Sequence, residues 1–328
     1  MSTESPLQPS IGAKLARPPI GYGVEHPRSA STILDWSLLI LPGLIWGASF
    51  LFIAEGLESL TPNGVTFVRI AIGFVTLSVF PAARRPVGRE DRGSIALLGV
   101  LWLAFPLSMF PFAEQHVSSA LTGMLNGATP LFAAAVASVL ARHLPSKAIC
   151  YGLTVGFLGA VLIATPSMHE GKNSLTGIKL ILTALVSYGF AINLARPLQQ
   201  RNGALPVIWR ALAVALFLTA PLGVPAVFAA RWNMRSLFAL LALGALGTGI
   251  ANVLVAIAAG RLGATRASSS TFLIPVVALI LGVEVRGEHV AALSLVGGGG
   301  CLAGAWLIRR GSASRRSSYV ATRPTQGV

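Results

Sequence analysis

The sequence predicts an all-α polytopic membrane protein of ten transmembrane helices, built as two inverted five-helix repeats. Three observations carry this expectation: the scarcity of charge, its confinement between long apolar runs, and an internal repeat at a fixed shift. Of 328 residues, 54% are hydrophobic and only 11% charged, and the mean hydropathy is +0.72. A water-soluble domain clothes its surface with roughly a quarter charged residues. The solvent that asks for so little charge is lipid.

A helix that crosses a bilayer takes about 20 mostly apolar residues. Polar punctuation cuts the chain into ten such stretches, at 36–57, 62–82, 94–113, 117–141, 148–165, 175–195, 205–229, 236–259, 267–285 and 290–308. The connections are short, so consecutive helices are expected to be antiparallel neighbours. The first repeat then occupies 36–165 and the second 175–310. Residues 1–35 are polar, basic and proline-bearing without an apolar h-region, which reads as a disordered cytoplasmic tail rather than a signal peptide. Residues 311–328 form a second cytoplasmic tail.

The formal net charge is +14. Of the 25 Lys and Arg residues, Arg69 and Arg210 fall within spans and five (Lys172, Lys179, Arg231, Arg235, Arg286) fall on the side opposite the tails, which leaves eighteen on the tail side. Cytoplasmic loops collect Lys and Arg, so both termini are expected inside; the arginine-, alanine- and glycine-rich composition points only to a GC-rich bacterial genome, and a bacterial inner membrane is the expected location. The basic residues carry no aromatic interleaving of the kind that binds RNA. Orientation and contact with anionic lipid account for the charge, and nucleic acid is not an expected partner.

The repeat is visible in the residues. Pro130 meets Pro275, Gly152 meets Gly297, Gly159 meets Gly304 and Gly99 meets Gly244, all at a shift of 145. Further upstream the register slips by a few residues, so that Trp46-Gly47 matches Tyr188-Gly189 and Arg69 matches Arg210. Five spans per copy is an odd number, so the second copy enters the membrane from the opposite side. Transporters use such inverted repeats to place one site near the midplane and expose it alternately.

The same residues carry a resemblance. The run Trp46-Gly47-Ala48-Ser49-Phe50, Arg69 near the start of the second helix, a small-residue run before a mid-helix proline in each half, and Gly287-Glu288 ahead of a glycine-rich last helix resemble the drug/metabolite transporter superfamily. Within it the likeness is to EamA-type exporters with two repeats, of the YddG-like amino-acid exporting character. The resemblance covers about 36–310 and implies an exporter of amino acids or similar small polar metabolites, with the fifth and tenth helices outside the substrate path. The first half departs from the pattern: the position thirteen residues after Pro130 is His143, where the second half has Glu288.

Candidate cavity residues follow from side-chain chemistry at helical spacing. Proline frees the carbonyl one turn earlier, and near Pro130 the residues Thr122, Asn126 and Thr129 share a face. Asn126 offers both donor and acceptor groups, which suits an ammonium and a carboxylate. Near Pro275, Ser268 and Thr271 share a face. Ser187 and Tyr188 in the sixth helix and Thr248 and Asn252 in the eighth add polar groups, while Trp46, Phe50, Trp102 and Phe105 are candidate walls. Small polar residues also serve as helix–helix contacts in membranes. Arg69 and Arg210 at equivalent repeat positions either snorkel to the nearer surface or attract a substrate carboxylate, with snorkelling the expected role of both.

Glu55, Glu114, Glu284 and Glu288 all map near helix ends, so no acid is expected deep in a span. Cys150 and Cys301 sit in apolar segments without metal spacing and are expected to be buried packing. No cofactor is expected. An intramembrane enzyme would need a Ser/His pair, an acid dyad or a metal cluster within the spans, and the spans show none of these. A nucleotide-sugar or lipid carrier of the same architecture is the alternative transport activity.

Overall fold

The computed structural model describes residues 33–142, 147–168 and 172–321. Residues 1–32 of the expected N-terminal tail, His143 and the last seven residues lie outside it. Within the described residues the chain is built from ten helical rods: α1 Ile33–Gly56, α2 Pro62–Ser78, α3 Arg89–Glu114, α4 Ser119–Ala141, α5 Lys147–Met168, α6 Lys172–Asn202, α7 Ala204–Phe228, α8 Met234–Leu262, α9 Ser268–Arg286 and α10 Ala292–Ala321. Nine of them are long and apolar enough to cross a membrane, and α2, with 17 residues, is at the short end of what spans. The chain is a multi-pass α-helical membrane protein. Large apolar side chains such as Val139, Phe217, Leu222 and Phe228 stand outward on the rods, a coat that only lipid tolerates at this density.

Local chemistry sets several boundaries. Pro62 occupies the first turn of α2, where its missing N–H costs nothing. Ser118 accepts from Leu121 N at the start of α4 and Asn233 accepts from Ser236 N at the start of α8, each satisfying a backbone donor that a helix start leaves free. The backbone of α2 stops at Ser78, four residues before the expected end, where Pro81 opens a short 3-10 turn. That of α10 runs on to Ala321, beyond the expected start of the tail.

The packing has the symmetry of an inverted repeat. The pairs α2–α7, α4–α9 and α5–α10 join equivalent helices of the two halves, and all three are packed. Exchanging the halves turns α1–α9 into α6–α4 and α2–α8 into α7–α3, and these four pairs are also packed. Each self-equivalent pair runs antiparallel, as a twofold axis perpendicular to the helices requires: Gly127 lies against Pro275 and Ser119 against Glu288 in α4–α9, and Phe74 stacks on Trp209 while Gly223 lies against Asn63 in α2–α7. In α5–α10 a Cβ on Gly159 would stand 2.6 Å from the Gly297 carbonyl oxygen, and one on Gly152 would stand 2.9 Å from that of Gly304. Those two contacts map onto one another by the 145-residue shift. Cys301 reaches the Gly156 carbonyl at 3.3 Å, and these two positions are themselves 145 apart, so the axis passes between them.

Both ends of the span-bearing chain lie at one end of the bundle. Asp35 pairs with Arg261 at 2.5 Å, Leu38 packs with Ala258 and Ala267, and Arg309 donates to Ser269. We call this the proximal end. The distal end holds Glu55, Arg235, Arg286 and Glu288. Cys301 is buried as expected, but Cys150 is exposed, because its side of α5 faces away from α10.

Candidate functional site

A cavity of about 200 Å³ lies midway along the bundle. Among the described residues its walls come from α1–α4 and α6–α9, with no lining residue from α5 or α10. Aromatic and aliphatic side chains make up most of the wall, including Trp46, Phe50, Trp102, Phe110 and Tyr188, and the polar groups are few: Ser49, Arg69, Asn126, Thr129, Thr248, Asn252 and Thr271. An apolar chamber with a few placed polar groups is the usual composition of a small-molecule site.

Four helices are irregular where they meet this chamber. The third and eighth widen into π turns at Gly99–Ala104 and Leu243–Ile250, equivalent positions in the two repeats. A π turn leaves carbonyls without their usual partner, and such turns often mark functional sites. Side chains from neighbouring helices take up these carbonyls. The Trp46 indole donates to Gly247 O at 3.0 Å, and the Ser187 hydroxyl donates to Leu101 O at 2.7 Å. The fourth and ninth helices are interrupted before their prolines, α4 between Asn126 and Thr129 and α9 by a 3-10 stretch at Ser268–Leu273. Pro130 cannot donate to Asn126 O, and the Thr129 hydroxyl donates to it instead at 2.6 Å.

Arg69 is the charge in the chamber wall. Its side chain is 7% exposed and its Nε donates to the Thr248 hydroxyl at 3.0 Å. No carboxylate among the described residues forms an ion pair with it. A buried guanidinium that spends one donor on a hydroxyl keeps the rest of its planar fork for a carboxylate or phosphate.

The chamber is sealed on the distal side. Phe50, Ile53, Phe110, Leu121, Leu125, Leu243, Ile274 and Ala278 belong to one buried cluster that draws on most of the helices, and Phe50 meets Phe110 edge-on at 5.6 Å. Beyond this plug, Glu55 receives Arg235 and Arg286. Glu288 accepts from Ser119 N, Ser119 Oγ and Ala120 N at 2.8–3.0 Å, which ties the end of α9 to the start of α4. Toward the proximal side the buried residues fall into two separate clusters, one from α2, α3, α6 and α7 with Val253, the other from α1, α8 and Ala267 just ahead of α9.

The sequence profile of the EamA-like transporter family matches residues 36–165 and 175–310. The chain belongs to this family. Among similar proteins is the "Probable terminal-alkyne amino-acid exporter" of Streptantibioticus cattleyicolor, 28% identical over 286 residues that cover 86% of this chain and 95% of that one. Another is the "Uncharacterized transporter YdfC" of Bacillus subtilis, 27% identical over 277 residues, with 83% and 88% covered. A solved crystal structure shares the fold at a TM-score of 0.58 and 18% identity, covering 89% of this chain and 99% of that one. The family and these two relatives are named as transporters.

Within the EamA fold, the structure brings Trp46, Phe50, Arg69, Trp102, Asn126, Thr129, Pro130, Tyr188, Thr248, Asn252 and Thr271 to one chamber. It places six other candidates elsewhere. Phe105 is turned outward, 37% exposed, because the π turn before it rotates the rest of α3. Thr122 is fully buried and donates to Ser118 O. Ser187 is committed to the Leu101 carbonyl. Ser268 is exposed at the proximal start of α9. Pro275 packs on Gly127. Arg210 is half-buried, donates to Pro206 O and lies 5.4 Å above the Trp209 ring, the snorkelling expected of both arginines. Arg69 does not snorkel. Sequence reasoning missed Phe110 and Gly247, whose places in the wall depend on the π turns of α3 and α8. It also missed the burial of Glu114, whose two carboxylate oxygens are sealed from solvent.

Proposed function

We propose that this EamA-like transporter is a secondary exporter of amino acids or similar small polar metabolites, working by alternating access from the inner membrane of a bacterium with both chain ends in the cytoplasm. The observation that carries the substrate class is Arg69, a buried guanidinium in the chamber wall whose hydrogen bond goes to a hydroxyl rather than to an acid. A substrate carboxylate supplies the missing partner, and Asn126 and Asn252 supply uncharged acceptors for an ammonium. The name of the Streptantibioticus relative supports the same class. The plug on the distal side and the divided packing on the proximal side support the reading of a cytoplasm-facing state, given the surplus of basic residues around the proximal end. The opposite state follows by exchanging the roles of the two repeats.

The test is counterflow in proteoliposomes that contain the purified protein, using a panel of radiolabelled amino acids, nucleotide sugars and lysolipids. Amino acids exchange across the membrane, and Arg69→Gln lowers the exchange by about tenfold or more while leaving protein abundance unchanged. Exchange of nucleotide sugars with no movement of any amino acid would falsify the assignment in favour of the alternative carrier activity.

A further inference from the structure

Glu114 has no role in the chamber, yet among the described residues it is the acid with both carboxylate oxygens buried and unpartnered. It ends α3, one turn beyond Phe110 of the distal plug. The residue is partly exposed through its stem, but both carboxylate oxygens are sealed from solvent and have no hydrogen-bond partner among the described residues. An ion without partner or water is costly to hold in such a place, and a carboxyl relieves the cost by carrying a proton.

The groups that face it come from every neighbouring rod. Arg69 of α2 acts on it through space, as do Glu288 and Arg286 at the end of α9, and neither arginine forms an ion pair with it. Glu288 is engaged by the start of α4 and Arg286 by Glu55 of α1. Tyr188 of α6 lies tilted against Phe110 with ring centroids 5.9 Å apart, and His116 follows in the turn. The repeat mate of Glu114 is Ala259, so the proximal end has no matching acid.

We propose that Glu114 is a proton-binding site filled when the distal end closes and emptied when it opens. Closure strips water from the carboxylate, which takes one proton from the distal solution. Opening parts the plug, admits water and returns the proton, leaving the carboxylate ionised. The neutral form belongs to the closed state, so lowering the pH draws the protein toward distal closure and raising it favours opening. Because the site occurs at one end only, the proton biases the two states of an otherwise symmetric repeat unequally. This rests on the alternating-access reading and does not depend on which solute is carried.

The test uses the full chain in lipid nanodiscs with no substrate added. Spin labels at Gln115 and Trp232, in a background with C150S and C301A, report the width of the distal end. The short-distance population grows as pH falls, and Glu114→Gln keeps it dominant at every pH, a loss of the pH response. Glu114→Asp retains a response with a shifted midpoint. The carboxylic-acid C=O stretch in infrared difference spectra disappears as the pH rises in the native protein and is missing from Glu114→Gln. A distance distribution that ignores pH in the native protein overturns the proposal, as does a response that survives unchanged in Glu114→Gln. If Glu114→Gln does not fold, Glu114→Leu and the native infrared titration decide the matter. A protein that moves no amino acid leaves all of these readouts intact, so the two readings fail separately.

Discussion

Arg69 and Arg210 occupy equivalent places in the two repeats, but only Arg69 is buried in the chamber, while Arg210 lies half-exposed over Trp209 near the proximal end. The difference follows from which end is closed. Arg69 starts from the distal end of α2, where the plug shuts it in with Thr248. Arg210 starts from the proximal end of α7, where the packing is divided.

Replacing the two arginines therefore has unequal effects. Hydrogen bonds to charged groups contribute about 1.5–3 kcal/mol each, so Arg69→Gln is expected to weaken binding of a carboxylate substrate by roughly tenfold to a hundredfold. Arg69→Lys restores charge without the fork and recovers only part of it. Arg210→Gln changes binding to the proximal-open state by less than about threefold, the difference expected of an exposed group. Equilibrium binding of a labelled amino acid to the detergent-solubilised protein compares the three, and equal losses at both arginines would show that Arg69 holds no special place.

Asn126 lines the chamber with its side chain and receives only a 3.3 Å contact from Thr129 at its oxygen. Asn126→Ala removes this polar group without disturbing the Thr129 bond to the backbone. The expected result is a roughly fivefold to tenfold fall in flux, equivalent to one ordinary hydrogen bond, at unchanged membrane abundance. Flux equal to the native protein's would assign Asn126 to helix packing.

How far the sequence led differs between fold and site. The rods were legible because lipid imposes one simple demand, and the pairing of Gly159 with Gly304 announced an inverted repeat whose contacts Gly159–Gly297 and Gly152–Gly304 then realise. The side chains that would line the chamber were less legible. The π turns at Gly99–Ala104 and Leu243–Ile250 shift the helical phase by a fraction of a turn, so faces drawn at ideal spacing put Phe105 inward when it faces out. Ser187 looked like a lining group because nothing in one sequence reveals the freed carbonyl it serves. Glu114 sits near a helix end, which ordinarily means water, and only the plug packed around it makes that end dry.

The glycine contacts on the axis give a stability prediction. A Cβ at Gly159 would come within 2.5–2.8 Å of backbone atoms at Cys301, Gly297 and Gly300, none of which can rotate away as a side chain would. Gly159→Ala therefore forces α5 and α10 apart, at a cost of about 1–3 kcal/mol typical of overpacking. Gly299 has nothing within 4 Å of such an atom, and Gly299→Ala should leave stability unchanged or raise it slightly. Thermal unfolding in a single detergent compares the two variants, and equal melting temperatures would contradict a close-packed axis.

Glu288 provides the last test because it bridges two rods that must separate if the distal end opens. Its carboxylate accepts three hydrogen bonds from the first residues of α4, where the helix's free N–H groups and dipole favour a negative charge. Glu288→Ala strips all three, and Glu288→Gln keeps an acceptor while removing the charge. Each bond of this type contributes about 1.5–3 kcal/mol net of the water it replaces. Once the distal end is open those donors are hydrated, so the loss falls on the closed state. The ratio of open to closed molecules should rise by roughly tenfold for Glu288→Gln and further for Glu288→Ala. The label pair at Gln115 and Trp232 reads that ratio directly. Closed populations as large as the native one in both variants would mean that the apolar plug of Phe50 and Phe110 holds the distal end shut without help from the carboxylate.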